Sequence, residues 1–126
     1  MPYRSILLID DDQDDQEIFL TAMQAVNHLM TCTAISSAEE ALERLEAGLI
    51  VTDLIFLDIN MPIMSGQQFL SKIKDHATLK EIPVIILSTS SRPETIRETK
   101  RLGAHDFITK PDKFDTLKNI LRSIFA

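Results

Sequence analysis

The chain has 126 residues, enough for one domain with a real core and too few for two. Apolar residues make up 44% and charged residues 25%, the mix of a soluble globular protein, and no apolar run approaches the ~18 residues that cross a bilayer. A formal net charge of −6 argues against direct nucleic-acid binding, although 5 Lys+Arg face 14 Asp+Glu up to residue 91 and 8 face 5 beyond it. The basic excess of the C-terminal third reads as solvated helix faces or as a partner surface. Cys32 is the single cysteine, so no internal disulfide can form, which suits a reducing compartment. It lies in an alternating segment and reads as a small core residue. The N-terminus runs directly into a strand-like segment without a signal peptide's apolar stretch, and the expected location is cytoplasmic.

In chain order, Ser5–Ile9 is a buried strand that ends on Asp10-Asp11-Asp12. Ile18, Phe19, Ala22 and Val26 then form the apolar stripe of a first helix. Asp14, Asp15 and Glu17 extend the acidic run and suit the positive end of that helix. Residues 30–35 predict a second strand at the sheet edge. Ser36 with Glu39 and Ser37 with Glu40 offer two overlapping capping boxes for a second helix, which Gly48 is placed to close.

The run Leu54-Ile-Phe-Leu stops at Asp58, and Asn60, Pro62, Ser65 and Gly66 supply turn chemistry behind it. Ser65 and Gln68 predict a capped third helix with Phe69, Leu70 and Ile73 inward, and Met61 packs under the loop. Pro83 opens a fourth strand, Val84–Ser88, whose unbroken apolar run requires helices on both faces. Pro93 begins a fourth helix and Gly103 ends it. Residues 106–110 form a fifth strand, and Phe114, Leu117, Ile120, Leu121 and Ile124 hold the last helix on the core. Five strands alternating with five helices specify one α/β domain over residues 1–126, built on a parallel sheet covered on both faces.

In such a sheet the four chemistry-bearing strand ends lie on one rim: Asp10 to Asp12, Asp58, Ser88 and Lys110. Gathered carboxylates repel by roughly 4 kcal/mol per pair at about 4 Å and an effective dielectric of about 20, so the rim should take up a cation. Oxygen-only ligands point to Mg²⁺. With the Lys110 ammonium and the Ser88 hydroxyl, the set suits a phosphoryl group. An EF-hand reading from Asp10 fails, because Asp15 stands where Gly is needed and Thr21 where Glu is. His28, His76 and His105 show no ligand spacing.

Four fragments, Ile-Leu-Leu-Ile-Asp10-Asp11-Asp12, Phe-Leu-Asp58-Ile-Asn-Met-Pro, Val-Ile-Ile-Leu-Ser88-Thr89 and Phe107-Ile-Thr-Lys110-Pro111, come in order along nearly the whole chain. Together they resemble the receiver domain of two-component response regulators, the CheY-like family. The resemblance implies a flavodoxin-like, doubly wound sheet of strand order 2-1-3-4-5. It implies that Asp58 is the phosphoacceptor, charged by a histidine kinase, a phosphotransfer protein or a small phosphodonor. Asp10, Asp11, Asp58 and the Asn60 main-chain carbonyl would hold Mg²⁺. Ser88 and Lys110 would bind phosphoryl oxygens, Ser88 and Phe107 would form the switch, and Lys110–Pro111 would be a cis peptide.

By the same resemblance the protein is a signalling switch whose only catalysis is its own phosphorylation and dephosphorylation. Its output surface would be the fourth helix, fifth strand and fifth helix. With nothing beyond residue 126, the expected output is a contact with an unknown partner protein or a step in a phosphorelay, from a monomer or a weak homodimer. Two other readings use the same residues. A haloacid-dehalogenase-like phosphatase would use Asp10-x-Asp12 with Ser88 and Lys110, but Asp14 stands where its motif has Thr or Val. A phosphorylation-independent adaptor would ordinarily have lost Asp58 or Lys110.

Overall fold

The computed structural model describes residues 3–125. Each apolar run of the sequence becomes a strand, and each periodic stretch becomes a helix. The order is β1 (Ser5–Ile9), α1 (Gln13–Val26), β2 (Thr31–Ile35), α2 (Ala38–Glu46), β3 (Leu54–Asp58), α3 (Gly66–Lys74), a short 3-10 turn (Leu79–Glu81), β4 (Val84–Ser88), α4 (Pro93–Arg101), β5 (Asp106–Thr109) and α5 (Phe114–Phe125). The five strands form one parallel sheet in the order β2-β1-β3-β4-β5, as the resemblance implied.

Side chains alternate across a strand, so the sheet has two apolar faces. Leu7, Ile9, Ile55, Leu57, Val84 and Ile86 meet the buried residues of α2 and α3 on one of them. Ile6, Leu8, Phe56, Ile85 and Leu87 meet Phe19, Ala22 and Met23 of α1 and Leu117 and Leu121 of α5 on the other. Phe56 anchors that second face, with its ring 4.9 Å from Phe19. Cys32 packs there half-buried, and burial pushes its thiol up to about 12, which leaves it unreactive. Among the described residues no helix is long and apolar enough to cross a membrane.

Local chemistry sets the helix ends. Asp12 caps α1, its side chain accepting from the Asp15 N–H at 3.0 Å. At α2 only one of the two candidate caps is used: Ser37 accepts from the Glu40 N–H, while Ser36 accepts from Gln16 Nε2 at 3.1 Å and so ties α1 to the end of β2. Ser65 and Gln68 form the full reciprocal box of α3. Gly48 and Gly103, at φ 73° and 106°, end α2 and α4 in the left-handed conformation that glycine accepts without strain.

Several sequence expectations need correction. Ile18 and Phe114, assigned to the core, are 47% and 39% exposed; their stripes are wider than the strip of α1 and α5 that the sheet can cover. Met30 lies outside β2, and β5 ends at Thr109, which leaves Lys110 in the loop. No peptide bond among the described residues is cis, so Lys110–Pro111 is trans. Trans is the intrinsically preferred isomer by about 0.5–1 kcal/mol, and from it the Lys110 backbone N–H still reaches Ser88 O at 2.7 Å.

Candidate functional site

The strand register brings the rim together. Ile9 pairs with Leu57, so Asp10 and Asp58 lie side by side where the strand order reverses between β1 and β3. Asp58 pairs with Leu87 and Ser88 with Thr109, which places Ser88 and Lys110 one step further along the same edge. Asp10 and Asp58 are buried, at 1% and 6% exposure, whereas Asp11 is open to solvent.

Among the described residues every buried side-chain nitrogen and oxygen has a partner. Asp10 Oδ1 accepts from the Asp12 N–H at 3.0 Å, and its Oδ2 accepts from Lys110 Nζ at 2.9 Å. Asp58 Oδ1 accepts from the Asn60 N–H at 3.2 Å, while its Oδ2 stands 3.6 Å from Lys110 Nζ. Ser88 is fully buried and accepts from the Ser90 N–H at 3.1 Å, which leaves its hydroxyl proton to give.

The charges do not balance. Burial pushes the Asp58 carboxyl up to about 6; the Lys110 charge and the Asn60 N–H work against this, and the neighbouring Asp10 adds to it. At Lys110 burial favours the neutral amine, but hydrogen bonds to Asp15 and Asp10 and the nearby charge of Asp58 outweigh it and raise the pKa. One lysine therefore serves several carboxylates. Asp10, Asp11 and Asp58 each offer an oxygen, all within 4.8 Å of one another. A hard divalent cation fits such a set, because its ligands are oxygens alone and it supplies the missing positive charge.

Gly66 keeps the loop after Asp58 tight. Its N–H donates to Ile59 O at 3.1 Å, and a Cβ there would lie 2.7 Å from Ile59 Cα and 2.8 Å from Asp58 O. Within that loop Ile63 adopts φ 69°, a strained conformation for a β-branched residue, and is 89% exposed. Met61 and Met64 tuck against the core beneath it, as expected for Met61.

All the residues singled out from the sequence meet at this rim except Phe107. It lies half-buried beside α4, lining a cleft with Ile96, Thr99 and His105. Sequence reasoning missed two participants. Asp15, read there as a helix-end charge, accepts from Lys110 Nζ at 2.9 Å. Gln16 Nε2 donates to the Asp10 carbonyl and so braces the end of β1. One signal was available: both lie in the first turn of the helix that leaves the rim.

A doubly wound parallel sheet with an acid pair, a lone aspartate, a serine and a lysine at its switch point defines a CheY-like receiver domain. The chain belongs to the response regulator receiver domain family, whose model matches residues 6–122. Among curated relatives it is 32% identical over 127 residues to "Two-component response regulator-like APRR3" of Arabidopsis thaliana, covering 99% of this chain and 25% of that protein. It is 35% identical over 107 residues to the response regulator ORR6 of Oryza sativa subsp. japonica (84% and 62%) and 34% identical over 119 to ORR8 of the indica subspecies (94% and 96%). The chain thus spans less than two thirds of the first two relatives and nearly all of the third. The phosphorylated cyanobacterial phytochrome response regulator RcpA superposes with a TM-score of 0.88 at 30% identity, over 97% of this chain and 91% of that one. Receiver domains are signalling domains of two-component systems, and nothing here supports a haloacid-dehalogenase-like phosphatase or a phosphorylation-independent adaptor.

Proposed function

We propose that Asp58 is the phosphoacceptor of this receiver domain and that the chain acts as a phosphorylation-controlled switch. The observation that carries this reading is the meeting of Asp10, Asp58 and Lys110 in one contact network across a sequence separation of 100 residues. An Asp58 carboxylate oxygen forms a bond to the phosphorus of a donor phosphohistidine or acyl phosphate as the donor's own bond to phosphorus breaks. The product is an aspartyl phosphate, and the leaving group departs with the electron pair. Lys110 pairs with one phosphoryl oxygen, and the Ser88 hydroxyl donates to another.

Asp10, Asp11, Asp58 and the Asn60 carbonyl are the residues to hold Mg²⁺, which when bound neutralises charge on the phosphoryl oxygens. Receiver domains work with histidine kinases or phosphotransfer proteins, and those are the donors in this reading. The output is carried by α4, β5 and α5, where Phe107 follows Ser88, to a partner protein or to the next step of a phosphorelay. The setting is the cytoplasm, which the single-cysteine composition suits.

The test is intact-mass analysis after incubation with acetyl phosphate and Mg²⁺. One phosphate per chain, mapped to Asp58 and absent from Asp58→Asn, is expected. Uptake that persists in Asp58→Asn, or multiple turnover of a phosphomonoester, would defeat the reading.

A further inference from the structure

An ammonium group has three protons to donate. At Lys110 two of them are taken at the same short distance of 2.9 Å, by Asp10 Oδ2 and Asp15 Oδ2. Asp58 Oδ2, at 3.6 Å, lies beyond a good hydrogen bond. Two of these three carboxylates already have work in the reading above, Asp10 toward a cation and Asp58 as nucleophile. Asp15 has none. Its place is nevertheless well determined: the Asp12 side chain holds its backbone N–H at 3.0 Å. One turn further along α1, Phe19 is buried in the same cluster as Leu117 of α5, so helix and lysine loop keep their spacing.

We propose that Asp15 is a positioning residue for phosphoryl transfer at Asp58, pinning Lys110 together with Asp10 so that the third ammonium donor faces the Asp58 carboxylate. The inference rests on Asp58 being the phosphoacceptor. A lysine side chain has many rotamers, and ordering it before the reaction removes that entropy cost from the transfer step. Asp10 must share its charge with any cation the rim holds, whereas the Asp15 carboxylate, on the helix side of Lys110, has no other side-chain partner among the described residues. Asp14 provides the control. It shares the acidic first turn of α1, is exposed, and makes no ion pair among the described residues.

The experiment follows phosphate incorporation from acetyl phosphate by intact mass, over a range of donor concentrations, in wild type, Asp15→Asn, Asp15→Glu and Asp14→Asn. Asp15→Asn should lower the maximal rate about tenfold while the half-saturating donor concentration stays unchanged. Asp15→Glu should recover most of the loss, and Asp14→Asn should match wild type. A second readout needs neither donor nor metal: acylation of Lys110 by an amine-reactive ester, relative to Lys118 in the same digest, should rise several-fold in Asp15→Asn. An unchanged rate in Asp15→Asn, equal slowing by Asp14→Asn, no recovery in Asp15→Glu, or unaltered Lys110 labelling overturns the proposal. A wild type that takes up no phosphate at Asp58 overturns the phosphoacceptor reading, and this inference with it.

Discussion

Helices α3 and α4 have nine residues each and leave the same rim, yet they are attached to the molecule in opposite ways. The first follows Asp58, buries Phe69, Leu70 and Ile73 completely, and starts with a reciprocal capping box. The second follows Ser88, buries only Thr99, and has no side-chain cap at Arg92. Even Thr99 turns its hydroxyl back onto its own helix, donating to Thr95 O at 3.0 Å and Ile96 O at 3.1 Å. Local stability follows buried apolar area, so the wall behind Asp58 is stiff and the wall behind Ser88 is the cheaper one to displace. The difference suits the division of labour proposed above, with Asp58 as a nucleophile that stays placed and α4 as part of the surface that responds.

The largest expected effect comes from removing the anchor of the stiff wall. Phe69→Ala should cost about 3–5 kcal/mol in urea unfolding, through lost burial and the cavity left behind. A loss below about 1 kcal/mol would mean that α3 is no better anchored than α4. Gly66→Ala comes next, at about 1–3 kcal/mol, because the added methyl meets backbone at Ile59 and Asp58 that has no slack to yield. It should also slow phosphate uptake, and an unaffected uptake rate would separate loop tightness from function.

A rigid wall also stops Asp58 from relaxing into water, and the pH dependence measures this. With chelator present, the folded carboxyl titrates near 6 and the unfolded one near 3.9. Between those values the folded state binds more protons, so stability from this group falls as pH rises from about 4 to 6 and stays low at pH 7. Asp58→Asn should therefore be more stable than wild type by about 2 kcal/mol at pH 7, with the gap closing toward pH 4. No gap at pH 7 would show that the wall yields. The smallest effect belongs to Thr99→Val, under about 1 kcal/mol, since the hydroxyl serves only carbonyls of its own helix. A loss rivalling that of Phe69→Ala would reverse the ranking of the two helices.

Much of this was legible beforehand because it depends on near neighbours. The runs ending at Ile9, Asp58 and Ser88, the Ser65–Gln68 box and the closing glycines are all set within a few residues, where periodicity and turn chemistry operate. The parallel rim followed from strand–helix alternation, and its four chemical positions came with it. The less legible features depend on how helices dock. Ile18 and Phe114 have the right period for burial but lie at the margin of the strip that the sheet covers. Ser36 and Ser37 look equivalent as caps until Gln16, twenty residues earlier, claims one of them.

The amino-acid sequence by itself determined the elements, the sheet, and the identity of the groups at its carboxyl edge, because those follow from short-range patterning and one topological rule. The tertiary structure alone decided how the Lys110 charge is shared. Whether the ammonium reaches Asp10, Asp15 or Asp58 depends on tenths of an ångström set by the packing of α1 against α5. A hydrogen bond falls off steeply over that range, and no local pattern in the chain encodes it.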